Sequence, residues 1–423
     1  MHLDIGAYCS KEIRCTCGRT HFCNLGEVVV ENGALRHLPR LMKNYHRILL
    51  VADQNTYAAC GKQVQEILNG KIADTLIFTC EGYLVPDEQA VAEAEKHLDG
   101  IDFIVGVGSG VINDICKYVS FNHRMEYAIV ATAPSMDGFA SSGAAMIMGG
   151  MKITYTTHAP TYIIADVDVV KNAPLDMIRS GYGDIIGKYS SLNDWKLAAL
   201  INQEHFCPEI YQLVLDVTNE IRRQVKQIVA RDDEAIAFLT KALVLIGITL
   251  TLLGSTRPGS GSEHHLSHFF EIVGLIHDQP YFLHGTDVAY STVVTAGMRE
   301  RIVKLTAPVF TNVSREKRLS EYERIYAGFA KDVLAIQEEA RSYEKDRKAQ
   351  YALLWPEIVH ILSECPTSEA IAQMFLDAGY DMTAFEKMYG TKKIHDAQLF
   401  GKDLKDRYSV LWLYYALFAG GEV

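Results

Sequence analysis

Three stretches carry most of the groups able to do chemistry. "GYGDIIGKY" supplies Asp184, "GSEHHLSHFFE" supplies His264, His265 and His268, and "YFLHGTDVAY" supplies His284. Asp184, His264 and His284 offer one carboxylate and two imidazoles from three separate helical segments. That donor set suits a divalent metal with open coordination positions, zinc being the first choice. His264 and His268 stand four apart and share a helix face, whereas His265 points elsewhere, so only one of the pair need be a ligand. A single histidine is more often a satisfied polar residue than a ligand. The density here, with His277 in addition, is harder to explain that way.

A second group sits in "DFIVGVGSGVINDICKYVS". An apolar run reads as a strand buried on both faces, and Val111, Ile112, Ile115, Cys116 and Val119 follow at helical spacing. Gly106, Gly108 and Gly110 lie at the junction. Strand, glycine turn and helix point backbone N–H groups and a positive dipole end at an anion. The third glycine comes one position too early for G-x-G-x-x-G, and the turn follows a late strand. Phosphate binding and an ordinary tight turn both stay open on this stretch alone. Asp53 ends the strand "RILLVAD", where an acid takes ribose hydroxyls or caps the next helix. "TAPSMDGFASSGA" (Thr132–Ala144) is rich in small hydroxyl side chains and holds one acid, Asp137. It suits a polar ligand or a loop built on Ser and Asp turns. In "RCTCGRTHFC", Cys15, Cys17, His21 and Cys23 fall within a very short span. A zinc knuckle there demands a very tight loop, so thiols without a metal are the expectation.

The elements that must position these groups fall into two regions. "EVVVE", "RILLVAD", "TLIFTC", the glycine-turn strand and "YAIVATAP" alternate with helical patterns, which means a parallel sheet with helices on both faces. After Pro174 the patterns are almost all helical. The expectation is an α/β, Rossmann-like domain over 1–174 and an all-helical domain over 175–423. A chain of 423 residues with 48% apolar and 22% charged side chains is of two-domain, globular type. Its net charge of −11 argues against nucleic acid or an anionic membrane as partner. The apolar block "ALVLIGITLTLLG" is short for a membrane span and suits a buried helix. Nine cysteines, an odd count, and no apolar N-terminal stretch lead to reduced thiols and a cytoplasmic protein. The apolar "SVLWLYYALFAGG" reads as a buried helix or a subunit contact.

Taken in order, "GVGSGVINDICK", "TAPSMDGFASSGA", "GYGDIIGKYSSLNDWKL", "RPGSGSEHHLSH" and "FLHGTDVA" resemble the motifs of the sn-glycerol-1-phosphate dehydrogenase family, its bacterial AraM-type members included. That family lies within the iron-containing alcohol dehydrogenase and dehydroquinate synthase superfamily. The resemblance runs from about Gly26 to Tyr290 and weakens beyond. It implies a dehydroquinate synthase-like fold, and a glycine turn that cradles a dinucleotide pyrophosphate. It also implies a metal at Asp184, His264 and His284, with pyrophosphate at Gly108, Ser109 and Gly110, and adenosine ribose at Asp53. Thr132, Ser135 and Ser141 border the cofactor, Asp137 bonds a substrate hydroxyl, and His268 relays a proton. Met136 departs from the small or polar residue of many relatives.

The reaction so implied is reduction of dihydroxyacetone phosphate to sn-glycerol 1-phosphate, reversibly, with NAD(H) or NADP(H) and one divalent ion, Zn before Ni or Fe. Substrate phosphate needs donors, and Arg257, Ser260 and Ser262 precede a helix N-terminus. The other reading of Arg257 is a pairing with a nearby acid or exposure to solvent. A homo-oligomer, as a dimer, is expected. The rivals are glycerol dehydrogenase, which has no use for Arg257, and a non-catalytic nucleotide or phosphosugar sensor, which has no use for a Lewis acid. Dehydroquinate synthase chemistry is disfavoured by Asp184, because that branch uses glutamate.

Overall fold

The computed structural model describes residues 3–80, 82 and 84–420, with the backbone alone for Met151. Its first compact unit comprises Met1–Ile185 with Asn219–Thr256, and its second Ile186–Thr218 with Arg257–Val423. This division differs from the boundary expected at 174. The first unit runs further along the chain and takes back a later helix.

Ten strands lie in the first unit: β1 (Glu12–Arg14), β2 (Thr20–Phe22), β3 (Glu27–Glu31), β4 (Ile48–Asp53), β5 (Ile72–Phe78), β6 (Phe103–Gly108), β7 (Glu126–Ala131), β8 (Gly143–Met148), β9 (Met151–Thr156) and β10 (Tyr162–Asp166). Six of them form one sheet in the order β3-β10-β7-β6-β4-β5. Every pairing in it is parallel, as the alternating pattern predicts. All six residues of β6 are buried, which is why its sequence is apolar without alternation. The edge strand β5 is half exposed and correspondingly more polar. Below the sheet, Leu35, Leu38, Leu50, Val64, Val105 and Val130 share one core. β1 with β2, and β8 with β9, form two antiparallel hairpins that the helical and strand periodicities do not reveal.

From β4 the chain runs to β5 on one side and later to β6 on the other. The strand order therefore reverses between β4 and β6, where open α/β sheets bind ligands. Ala52 pairs with Val107, and Gly108 with Ala131. Asp53, the glycine turn and the loop after β7 thus leave the sheet side by side. Two helices flank these loops. Helix α1 (Gly110–Asn122) follows β6, and helix α2 (Leu175–Ile186) carries Asp184.

Helix α4 (Asp233–Leu253) is the apolar block. It is long and apolar enough to cross a membrane by composition, yet 78% of its most apolar window is buried. Thr251 Oγ1 donates to the Ala140 carbonyl at 3.0 Å, and a Cβ on Gly247 would stand 2.7 Å from the Asp137 carbonyl. That close backing of the Gly138–Ala140 turn is why α4 belongs with the sheet.

In the second unit, α3 (Lys188–Asn202), α5 (Ser262–Ile276), α6 (His284–Val303) and α7 (Val410–Phe418) meet at a buried ion pair. Arg299 lies 3.0 Å from Asp194, both essentially inaccessible. Asp194 also accepts from the N–H groups of Ser262, at 2.6 Å, and Val410, at 2.9 Å. Removing either charge would leave the other buried and unpaired.

Candidate functional site

At the switch point, Gly108 is fixed by packing. A Cβ there would stand 2.6 Å from the Ile112 side chain, so only glycine lets α1 start so close to the strand. Gly110 has ordinary room for a Cβ beside Met136. Ser109 Oγ and Ser135 Oγ are 2.5 Å apart, and the Thr132 N–H donates to the Gly108 carbonyl at 3.0 Å. The turn and the loop after β7 are therefore joined into one polar rim. Asp53 Oδ1 accepts from the N–H groups of Asn55 and Thr56, at 2.7 and 2.9 Å, so it caps the next helix. Both capping bonds use the same oxygen, and Oδ2 takes no part in them.

Ser141 is turned differently from the expectation. Its hydroxyl donates to Gly138 O at 3.1 Å and accepts from Lys117 at 3.4 Å, an interior role in the turn. Lys117 was not singled out by sequence. It is fully buried and donates to the carbonyls of Gly138 and Gly143, both at 2.9 Å. Burial pulls its pKa down to about 8, against the opposing pull of Asp114 and Asp137. Its one sequence signal is a lysine on the apolar face of "VINDICKYV".

Asp137 and Asp184 are brought together. The Asp137 N–H donates to Asp184 Oδ2 at 2.9 Å, and Asp184 is fully buried. Gly181, one turn earlier on α2, makes this possible: a Cβ there would stand 1.8 Å from the Pro134 carbonyl. Ser180 Oγ donates to the Ser135 carbonyl at 3.0 Å, locking α2 to the loop from the same face.

In the second unit, His264, His268 and His284 form a ring cluster. Centroid separations are 5.1 Å for His264–His284, 5.5 Å for His268–His284 and 6.1 Å for His264–His268. His264 and His284 can each present a nitrogen within 4.8 Å of the other. His264 Nδ1 lies 2.7 Å from Glu263 Oε1, which leaves Nε2 with its lone pair for a ligand role. Burial works to raise the Glu263 carboxyl, but His264, Ser190 and the Gly261 N–H together hold it below the usual carboxylate range. His265 is buried apart from this cluster, and burial keeps it far below the ordinary histidine value.

The loop before α5 departs most from expectation. Arg257 is buried, and its fork donates to Glu204 from Nε at 2.7 Å and Nη2 at 2.6 Å. Nη1 donates to the Tyr408 carbonyl at 2.6 Å. This is the pairing with a nearby acid, not an open phosphate anchor. Ser262 is likewise interior, its N–H held by Asp194 and its hydroxyl 3.2 Å from Ser190 Oγ. The Gly261 N–H goes to Glu263 at 2.7 Å, so protein carboxylates already occupy donors at this helix start. The Ser260 hydroxyl is buried and has no hydrogen-bond partner among the described residues. Arg407, which sequence reasoning missed, donates to the Ser260 carbonyl at 2.8 Å.

The chain is similar to known proteins over much of its length. The family model for iron-containing alcohol dehydrogenase matches residues 29–174. A glycerol-1-phosphate dehydrogenase, NAD(P)+, from Halalkalibacterium halodurans is 34% identical over 67% of this chain and 73% of its own. One from Geobacillus thermodenitrificans is 33% identical over 67% and 72%. Among solved structures, an alcohol dehydrogenase from an archaeal halo-thermophile of a Red Sea brine pool matches with a TM-score of 0.63 at 13% identity. That match covers 95% of this chain and 98% of the other, and it shows the shared fold. The parallel sheet with its glycine turn, the helical second unit with its histidine cluster, and these identities make the chain a member of the glycerol-1-phosphate dehydrogenase family of iron-containing alcohol dehydrogenases.

Proposed function

We propose that the protein is an oxidoreductase that interconverts dihydroxyacetone phosphate and sn-glycerol 1-phosphate with a nicotinamide cofactor and one divalent metal. The observation that carries this reading is the His264–His284 pair, with Glu263 fixing the His264 tautomer, in a chain 34% identical to a glycerol-1-phosphate dehydrogenase. Asp184, His264 and His284 hold the metal, and their carboxylate and imidazole donors suit zinc first, with nickel or iron admitted by the same set. When bound, the metal supplies Lewis-acid polarisation of the substrate carbonyl and the cofactor supplies the hydride.

The chain's own residues supply binding, orientation and proton transfer. The N–H groups of the Gly108–Gly110 turn, at the start of α1, hold pyrophosphate. Asp53 holds the adenosine ribose through Oδ2, and its charge disfavours a 2′-phosphate, so NADH is accepted at least as well as NADPH. Thr132 and Ser135 border the cofactor, while Ser141 and Lys117 keep the loop in shape from behind. Asp137 accepts a hydrogen bond from a substrate hydroxyl. His268, one turn from His264, relays the proton to the new alcohol. Phosphate contact is assigned to Ser260 and Arg407, with Arg257 holding their loop through Glu204.

A second reading has one observation in its favour. Arg257 is neutralised by Glu204, and this removes the strongest argument against free glycerol as substrate. Kinetics with dihydroxyacetone phosphate, dihydroxyacetone and glycerol, with both cofactors and several metals, separates the two. Comparable efficiency on the unphosphorylated substrates would favour the second. The protein is assigned to the cytoplasm, and a homodimer is the expected assembly, tested by light scattering.

A further inference from the structure

The N-terminal hairpin takes no part in this chemistry, yet it gathers three metal-ligating side chains. β1 pairs antiparallel with β2, Ile13 opposite His21. Strands of three residues with mostly exposed side chains bury little, and a two-stranded hairpin is marginal in water. Its connection is a tight turn: Cys15 N–H donates to Arg19 O, Gly18 N–H donates to Cys15 O, and Gly18 has φ of 85°. The turn curls Cys17 back, with its N–H 3.5 Å from Cys15 Sγ.

His21 completes the group. It is buried, and its Nδ1 lies 2.9 Å from the Leu252 carbonyl on α4. A carbonyl can only accept, so Nδ1 carries the proton and Nε2 keeps its lone pair. Nε2 faces Cys17 Sγ at 3.3 Å. One ligand atom from each of Cys15, Cys17 and His21 lies within 4.8 Å of the others. Zinc–sulfur and zinc–nitrogen bonds of about 2.3 and 2.05 Å in a tetrahedron set sulfur and nitrogen about 3.6 Å apart. The observed separation needs a shift of only a few tenths of an ångström. Cys23, close to the others in sequence, is not in the group. It is buried next to Cys9, whose thiol burial and Cys23 push up to about 11.

We propose that Cys15 Sγ, Cys17 Sγ and His21 Nε2 bind one thiophilic divalent ion, zinc by donor chemistry. The fourth position is taken by a further thiolate or by water. Binding displaces a proton from each thiol, and the ion fastens the hairpin to α4 through the His21–Leu252 hydrogen bond. The role is structural: α4 also carries Thr251 and Gly247, which back the cofactor loop. This proposal stands independently of the one above.

Cobalt substitution tests it. Reduced protein is stripped of metal and titrated with Co2+, with total metal counted by mass spectrometry. The wild type should take up two ions per chain and show a sulfur-to-cobalt charge-transfer band in the near ultraviolet. His264→Ala should lose one ion and keep the band. Cys15→Ser/Cys17→Ser should lose the other ion and the band together. A wild type that saturates without the band overturns the proposal and leaves Cys17 and His21 as a thiol–imidazole hydrogen bond. So does a band that survives the double substitution.

Discussion

Replacing Arg257 with leucine separates a structural guanidinium from a phosphate-binding one. Arg257 donates short hydrogen bonds to Glu204, from Nε and Nη2, and to the Tyr408 carbonyl from Nη1. Its side chain is 8% exposed and that of Glu204 29%. Breaking a buried pair by removing one partner costs about 3–5 kcal/mol, because a charge is left uncompensated. Glu204 keeps enough exposure to rehydrate in part, so about 2–3 kcal/mol is expected here. For a domain near 200 residues each kcal/mol moves the melting point by about 2–4 °C, so the loss is about 4–12 °C. Arg257→Leu/Glu204→Leu should recover part of it, since neither charge is then stranded. The assay pairs thermal melts with Michaelis constants for dihydroxyacetone phosphate and dihydroxyacetone, taken well below the transition. The Michaelis constant for dihydroxyacetone phosphate should rise only in step with the loss of stability, and the double substitution should restore part of both, because Arg257 acts by holding the loop of Ser260 and Arg407. A tenfold rise for the phosphate ester alone, about 1.4 kcal/mol, with an unchanged melting point would refute this and return Arg257 to the phosphate site.

Three further perturbations probe the other supports. Gly181→Ala puts a methyl against the Pro134 carbonyl and must displace α2. Metal affinity measured by chelator competition should fall by about 10- to 100-fold, the range for disturbing a ligand's support, and unchanged affinity would remove Gly181 from that role. Asp53→Gly should improve the ratio of kcat/KM for NADPH over NADH, and a wild type that already strongly prefers NADPH would contradict the ribose assignment. Lys117→Met tests burial of charge. The native pKa near 8 lies below the unfolded value of about 10.4, so between them the unfolded chain binds the extra proton. Wild-type stability relative to the variant should therefore rise as pH climbs through that window. A difference in melting point that is flat from pH 7 to 10 would count against it.

Much of the sheet was legible because buried parallel strands need continuous apolar residues and leave no alternation to confuse the reading. β6 and β4 are the clear examples. Gly108 was legible as a turn glycine, though its real constraint is Ile112, visible only once α1 is folded back. The histidines were legible because they cluster between His264 and His284, and Asp184 because it stands in the "GYGDIIGKY" stretch. What stayed hidden depends on contacts between distant parts of the chain. Arg257 meets Glu204 across 53 positions and Tyr408 across 151, so nothing local reveals its pairing. Lys117 looks like one charge on a helix until the turn at Gly138 closes over it. The apolar block was correctly expected as a buried helix, but only its contacts with Ala140 and Asp137 assign it to the first unit. The cysteines show the same limit: Cys23 is close to the others in sequence, whereas the fold turns it toward Cys9.

The central claim is metal-dependent reduction of a phosphorylated ketone. Its most direct test is kcat/KM for dihydroxyacetone phosphate, dihydroxyacetone and glycerol on one preparation, before metal removal, after it, and after readdition of zinc, nickel or iron. The expected result is a preference of at least tenfold for the phosphate ester, loss of that activity on chelation, its return with a divalent ion, and sn-glycerol 1-phosphate as product. Equal efficiency on the unphosphorylated substrates, or undiminished turnover in protein shown to be metal-free, would contradict the account.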